Sequence, residues 1–155
     1  MAARIKRDYP VVQAVYTSSL LRARLTAAVI GEVLELEPRP RDGLQEMHLG
    51  ELEGVLSVQL TVAAPRDPDQ RYPGGESARE FVERIMGTLY GLVMAHPWET
   101  IVAVSHGGVI STALSIWSVG HGGAWRDYAP ENCALSLIEF GGNPQIVVLN
   151  DYAHL

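Results

Sequence analysis

Three observations predict an α/β domain with a mainly parallel sheet. Two short runs rich in β-branched residues, Val11–Tyr16 and Ile101–Val104, each lead through a turn into a helical pattern. Between them lies the firmest helical repeat of the chain, Phe81, Val82, Ile85, Met86, Leu89, Leu92 and Val93. Two strand segments finish the chain, Cys133–Phe140 and Gln145–Leu149, joined as a hairpin by Gly141-Gly142-Asn143-Pro144.

In chain order, Arg4–Asp8 is charged and Pro10 stops whatever precedes it. Val11–Tyr16 reads as a buried strand. Thr17-Ser18-Ser19 offers N-cap residues, and Leu21, Leu25, Ala28, Val29, Glu32 and Val33 follow at helical spacing with an apolar face. Pro38 and Pro40 hold that helix to about Leu36. Arg39–Pro73 reads as a long excursion with one short helix near Val55–Val62, the kind of loop that carries function. Ser77-Ala78-Arg79-Glu80 is a capping box that opens a helix from Ser77 to Ala95, closed by His96-Pro97. After the Ile101–Val104 strand, His106-Gly107-Gly108 turns the chain into a helix over Val109–Val119.

The length, 155 residues, suits one domain spanning the whole chain. A formal charge of −6 argues against nucleic acid or an anionic membrane as partner. In so acidic a chain, an arginine beside a strand end carries extra meaning. Cys133 is alone, so no internal disulfide forms, which fits a reducing, cytoplasmic compartment. No Cys/His cluster has zinc spacing, and no metal or cofactor is expected. Met1–Tyr9 is basic without an apolar stretch, and no apolar run approaches the roughly 20 residues of a membrane span.

Ligands of open α/β sheets bind beyond the carboxyl ends of the strands. Two such ends are rich in suitable groups. Thr17–Arg22 sets an arginine on the first turn of a helix, where backbone N–H groups and the helix dipole favour an anion. Arg22 adds a planar fork matched to two phosphate oxygens, and Ser18 is a weaker candidate for the pocket wall. Taken alone, Arg22 reads equally as a surface arginine paired with a carboxylate. Val104–Gly108 places His106 at a strand end, followed by Gly107 and Gly108, whose bare backbone admits close approach. A satisfied structural histidine is the competing reading. Third, the Leu44–Gly54 loop carries Glu46, a carboxyl that protonates a leaving oxygen if its pKa is raised.

Together these segments resemble the histidine phosphatase superfamily, which includes the cofactor-dependent phosphoglycerate mutases. Ser18-Ser19-Leu20-Leu21-Arg22-Ala23-Arg24-Leu25-Thr26-Ala27 resembles its Ser-x-Leu-x-Arg-Ala-x-x-Thr-Ala segment. Leu44-x-Glu46-x-x-x-Gly50-x-x-Glu53-Gly54, Gly74-Gly75-Glu76-Ser77 and Ser105-His106-Gly107-Gly108 are similar to three further motifs, and Leu149–Leu155 to a common ending. The resemblance implies a three-layer α/β sandwich, phosphoglycerate-mutase-like, with a mainly parallel sheet. It implies that Arg22 binds the transferred phosphate, with Gly107 beside it. His106 would donate to the phosphate. Glu46 would act as general acid, then as base for water. The implied partner is phosphate or a phosphorylated small molecule, handled without metal. The Gly50-x-x-Glu53-Gly54 spacing and the ending look more phosphatase-like than mutase-like. Glu76 and His154 match motifs without an assigned role. His48, His96 and His121 read as surface or structural, and Cys133 as packing.

The family begins with a strand ending in Arg-His-Gly, whose histidine is the nucleophile. No histidine precedes His48 here. The resemblance implies a domain truncated at its N-terminus, with the first strand, the phosphate loop and most of a helix absent. Covalent catalysis is then expected to fail in this chain alone. A non-catalytic phosphate-binding or protein-interaction module is the alternative. The absent strand is placed between the Val11 and Ile101 strands, so unpaired edges are expected there. Three outcomes are expected to be possible: a shortened reading of the gene, direct pairing of those two strands, or a second copy filling the gap as a homo-oligomer. Specificity is expected in Val55–Tyr72 and around His121–Pro130.

Overall fold

The computed structural model describes residues 1–55, 65 and 67–155. A short helix α1 (Ala2–Asp8) leads to strand β1 (Ala14–Ser18), helix α2 (Leu21–Leu34) and a brief strand β2 (Arg39–Arg41). Helix α3 (Ala78–Ala95), strand β3 (Ile101–Val104), helix α4 (Gly107–Val119) and strands β4 (Leu135–Glu139) and β5 (Gln145–Asp151) follow. The helix expected near Val55–Val62 lies outside the described residues.

β1 is the centre of a parallel three-stranded sheet, order β2-β1-β3, with Tyr16 opposite Arg39 and Ala14 opposite Ile101. Its alternation sorts the layers. Val15 packs with Ile5 of α1 and with Ala27 and Ile30 of α2. Ala14 and Tyr16 point the other way, onto Leu44 and Leu92 of α3. A second cluster, Phe81, Ile85 and Met86 with Val109 and Ala113, joins α3 to α4. The result is helices on both faces of a parallel sheet, the three-layer α/β arrangement read from the sequence.

Several local expectations shift. β1 begins at Ala14 rather than Val11, because Val11 is 66% exposed and the parallel ladder starts only at Ala14–Ile101. Thr17 and Ser18 belong to the buried strand, and the N-cap of α2 is Leu20, without a side-chain cap. α2 turns Ala23, Ala27, Ile30 and Gly31 to the core and leaves Leu21, Leu25 and Val29 exposed, contrary to the apolar face read from spacing. Small residues let this helix lie close to the sheet. β2 was legible only as loop, since all three residues of Arg39-Pro40-Arg41 are exposed and proline suits a strand edge. The Ser77–Glu80 capping box forms as read, with Ser77 as N-cap.

Of the three outcomes expected at the Val11 and Ile101 strands, direct pairing is the one found, with β1 and β3 side by side and no gap between them. Among the described residues each sheet has two edge strands, β2 and β3 in one and β4 and β5 in the other, and the two edges that share a cavity are those of β3 and β4. β4 pairs only with β5, as a separate antiparallel ribbon. Between them lies a cavity of about 1130 Å³, lined continuously by residues 101–106 and 133–141. Side chains alternate along a strand, so an unbroken run of lining residues marks backbone edges rather than one side-chain face. None of the four aliphatic residues of β3 is buried, whereas all five residues of β1 are.

Candidate active site

The cavity ends in a polar corner where β1, β3 and the loop after β2 converge, and Arg22, Glu46, His106 and Gly107 all line it. Arg22 sits in the first turn of α2, and His106 is the N-cap of α4. The parallel pairing of β1 with β3 brings these two helix starts side by side. Arg22 Nε donates to His106 Nδ1 at 3.1 Å. Arginine only donates, so Nδ1 accepts and the ring proton resides on Nε2. That nitrogen donates to Ser18 Oγ, 2.8 Å away. Ser18 is fully buried and its Oγ also accepts from Leu20 N–H at 3.2 Å.

Glu46 reaches the same corner from its loop. Its Oε2 accepts from Gly108 N–H at 2.9 Å and its Oε1 from Met47 N–H at 3.0 Å. The carboxylate therefore occupies the N-terminal turn of α4, the position that favours an anion. Gly108 leaves the carboxylate its seat: a Cβ would lie 3.0 Å from the Glu46 carboxyl carbon and closer still to Oε1, so a side chain there would push the carboxylate away. Gly107, by contrast, faces open space, with nothing within 4 Å of where a Cβ would be. The corner thus has room at Gly107 and contact at Gly108.

Burial first, and then the positive charge of Arg22, hold His106 below its ordinary value of 6.5, while Glu46 opposes them. A depressed histidine makes its contribution to stability above the unfolded value and loses it as pH falls through the folded one. Unfolding free energy measured in urea is expected to fall as the pH drops through and below 6.5, with His106→Asn removing this part of the slope. An unchanged slope in the variant would contradict a buried neutral His106.

Among the other residues singled out, His96 is structural. It links Tyr16 Oη, at 2.7 Å, to Glu99. His121 caps a 3-10 segment, and His154 lies against Arg4, with its Nε2 buried and unpartnered among the described residues. Cys133 is exposed rather than packed. Glu76 acquires a place, accepting from His48 N–H at 2.9 Å. Arg84, unremarked in the sequence because Glu83-Arg84 reads as ordinary helix surface, bonds the backbone of the Glu46 loop. No group of acidic, histidine or cysteine side chains suited to a metal ion occurs among the described residues. Most of Val55–Tyr72 lies outside them.

Residues 1–152 match the histidine phosphatase superfamily (branch 1). The chain is 34% identical over 126 residues to an uncharacterized phosphatase, PhoE, of Bacillus subtilis, covering 81% of this chain and 63% of the relative. It is 32% identical over 142 residues to a probable phosphoglycerate mutase, GpmB, of Serratia proteamaculans, covering 84% and 64%. The chain thus spans less than two thirds of the length of these curated relatives. In fold it is similar to a mycobacterial glucosyl-3-phosphoglycerate phosphatase solved in complex with inorganic phosphate, with a TM-score of 0.80 at 24% identity, over 99% of this chain and 84% of that one. From the family match, the phosphatase and mutase relatives and the shared fold, it follows that this chain belongs to the histidine phosphatase superfamily.

Proposed function

We propose that this chain is a phosphoryl-transfer domain of the histidine phosphatase type, binding phosphate and phosphorylated small molecules at Arg22, Gly107 and His106, with Ser18, expected in the pocket wall, buried behind His106 instead. As these 155 residues it is catalytically silent, and phosphate monoester hydrolysis depends on a further strand that carries Arg-His-Gly. The observation that carries this reading is the slot between β3 and β4, which opens into the same corner as Arg22 and His106. A strand lying there parallel to β3 brings its carboxyl end beside His106, two residues beyond the end of β3.

In this reading the entering histidine attacks phosphorus as the bond to the leaving oxygen breaks. Arg22 holds two phosphate oxygens, and His106 turns its Nε2–H from Ser18 to a third. Glu46 enters this step in its protonated form and gives its proton to the leaving alcohol; left as the carboxylate at Gly108 N–H, it then takes a proton from the water that cleaves the phosphohistidine, releasing inorganic phosphate.

The test is hydrolysis of p-nitrophenyl phosphate by the chain alone, and with a short aliphatic peptide ending in Arg-His-Gly. Background rates alone and turnover with the peptide, but not with its His→Ala counterpart, are expected. Turnover by the chain alone that is lost in His106→Ala would overturn the silent reading. A peptide that binds without restoring turnover would favour the non-catalytic phosphate-binding module.

A further inference from the structure

The loop that carries Glu46 is irregular backbone, with no helix or strand hydrogen bonds to fix it. Its carbonyls must find partners elsewhere. Leu44 O accepts from Ser105 Oγ and His48 O from Glu76 N–H, while the carbonyls of Gly43, Gln45 and Glu46 share one side chain. Arg84, projecting from α3, donates through Nη1 to Gly43 O at 3.1 Å and to Gln45 O at 2.9 Å. Its Nη2 donates to Glu46 O at 3.4 Å and to Glu76 Oε1 at 2.5 Å. Its Nε donates to Glu76 Oε2 at 3.1 Å. A guanidinium has five N–H donors, and each of the five is used. Glu76, only 12% exposed, returns the hold by accepting from His48 N–H on the far side of Glu46. The backbone of Glu46 is therefore pinned on both sides by one half-buried ion pair, and its carboxylate is thereby brought to Gly108 N–H.

We infer that Arg84, through its pair with Glu76, is a positioning residue for Glu46. It sets the carboxyl against the start of α4 while touching neither ligand nor reacting atoms. This rests on the reading that Glu46 transfers the proton. Lysine does not replace it: three donors on one atom cannot span a carboxylate and three carbonyls.

The amide resonance of Gly108 reports whether the carboxylate is seated, and it is followed in the intact chain labelled with ¹⁵N-glycine. Glu46→Ala defines the unseated position. Arg84→Met is expected to move Gly108 to that position, and Arg84→Lys and Glu76→Gln part of the way. Ile30→Ala, buried on the opposite face of the sheet, is expected to lower the melting temperature and leave Gly108 unmoved. A Gly108 resonance at its wild-type position in Arg84→Met would overturn the inference. If that variant fails to fold, an unmoved resonance in both Arg84→Lys and Glu76→Gln does the same. Inorganic phosphate is then added to the wild type. Absence of any shift at the Gly107 and Gly108 amides would sink the phosphate pocket itself, leaving the variant comparison standing.

Discussion

Arg22→Ala is expected to weaken binding of inorganic phosphate or vanadate by roughly tenfold to hundredfold, read by calorimetry. A charge-assisted hydrogen bond contributes about 1.5–3 kcal/mol, and about 1.4 kcal/mol is a decade in affinity. Among the described residues lining the corner there is one arginine, on the first turn of α2, beside a neutral histidine, so this guanidinium supplies most of their positive charge. The same variant removes the cation that disfavours protonation of His106, so the histidine should titrate nearer its ordinary value. Affinity within twofold of wild type would place the phosphate elsewhere. A lost affinity with an unmoved His106 titration would mean that Arg22 and His106 do not share one electrostatic environment.

Ile85→Ala is expected to cost about 2–5 kcal/mol of stability, the range for emptying a buried aliphatic site. Ile85 is fully buried in the cluster that locks α3 to α4. At this chain length the loss corresponds to a fall of roughly 5–20 °C in melting temperature. The consequence extends to the site. α3 carries Arg84, and α4 begins at Gly107, so the cluster that Ile85 shares with Val109 and Ala113 keeps the Glu46 loop and its N–H partner in register. Weaker phosphate binding should accompany the loss of stability. A change under about 1 kcal/mol would mean that the α3–α4 layer repacks freely.

The sequence made legible those features governed by local chemistry. The Ser77–Glu80 capping box states the start of α3 outright, since two side chains and two backbone groups satisfy each other within one turn. The Ile101–Val104 run forms a strand over those residues, because its β-branched residues are bounded by turn signals. Arg22 and His106 were found as separate strand-end signals, and their meeting required the parallel register of β1 with β3, a tertiary fact. What failed depended on partners. The buried face of α2 was misread because its larger residues, Leu21, Leu25 and Val29, point outward while alanines and a glycine meet the sheet. Direct pairing of the Val11 and Ile101 strands stands among three alternatives in the sequence, because strand order is not written in any one segment. Arg84 left no trace, since an arginine beside a glutamate on a helix looks solvated until three distant carbonyls are seen around it.

The resting corner is already hydrogen-bonded: Arg22 on His106, His106 on Ser18, and the Gly108 N–H on Glu46. Uptake of an anion is therefore an exchange of partners, and its free energy is a difference between two satisfied networks. A neutral hydroxyl compound offers the guanidinium little that an imidazole nitrogen does not already supply. A phosphate, with nearly two negative charges and three acceptor oxygens, offers more. If phosphate binds in this corner as proposed, the Ser18–His106–Arg22 relay would act as a charge threshold, closed on itself for weakly charged solutes and opened by a strongly charged oxyanion.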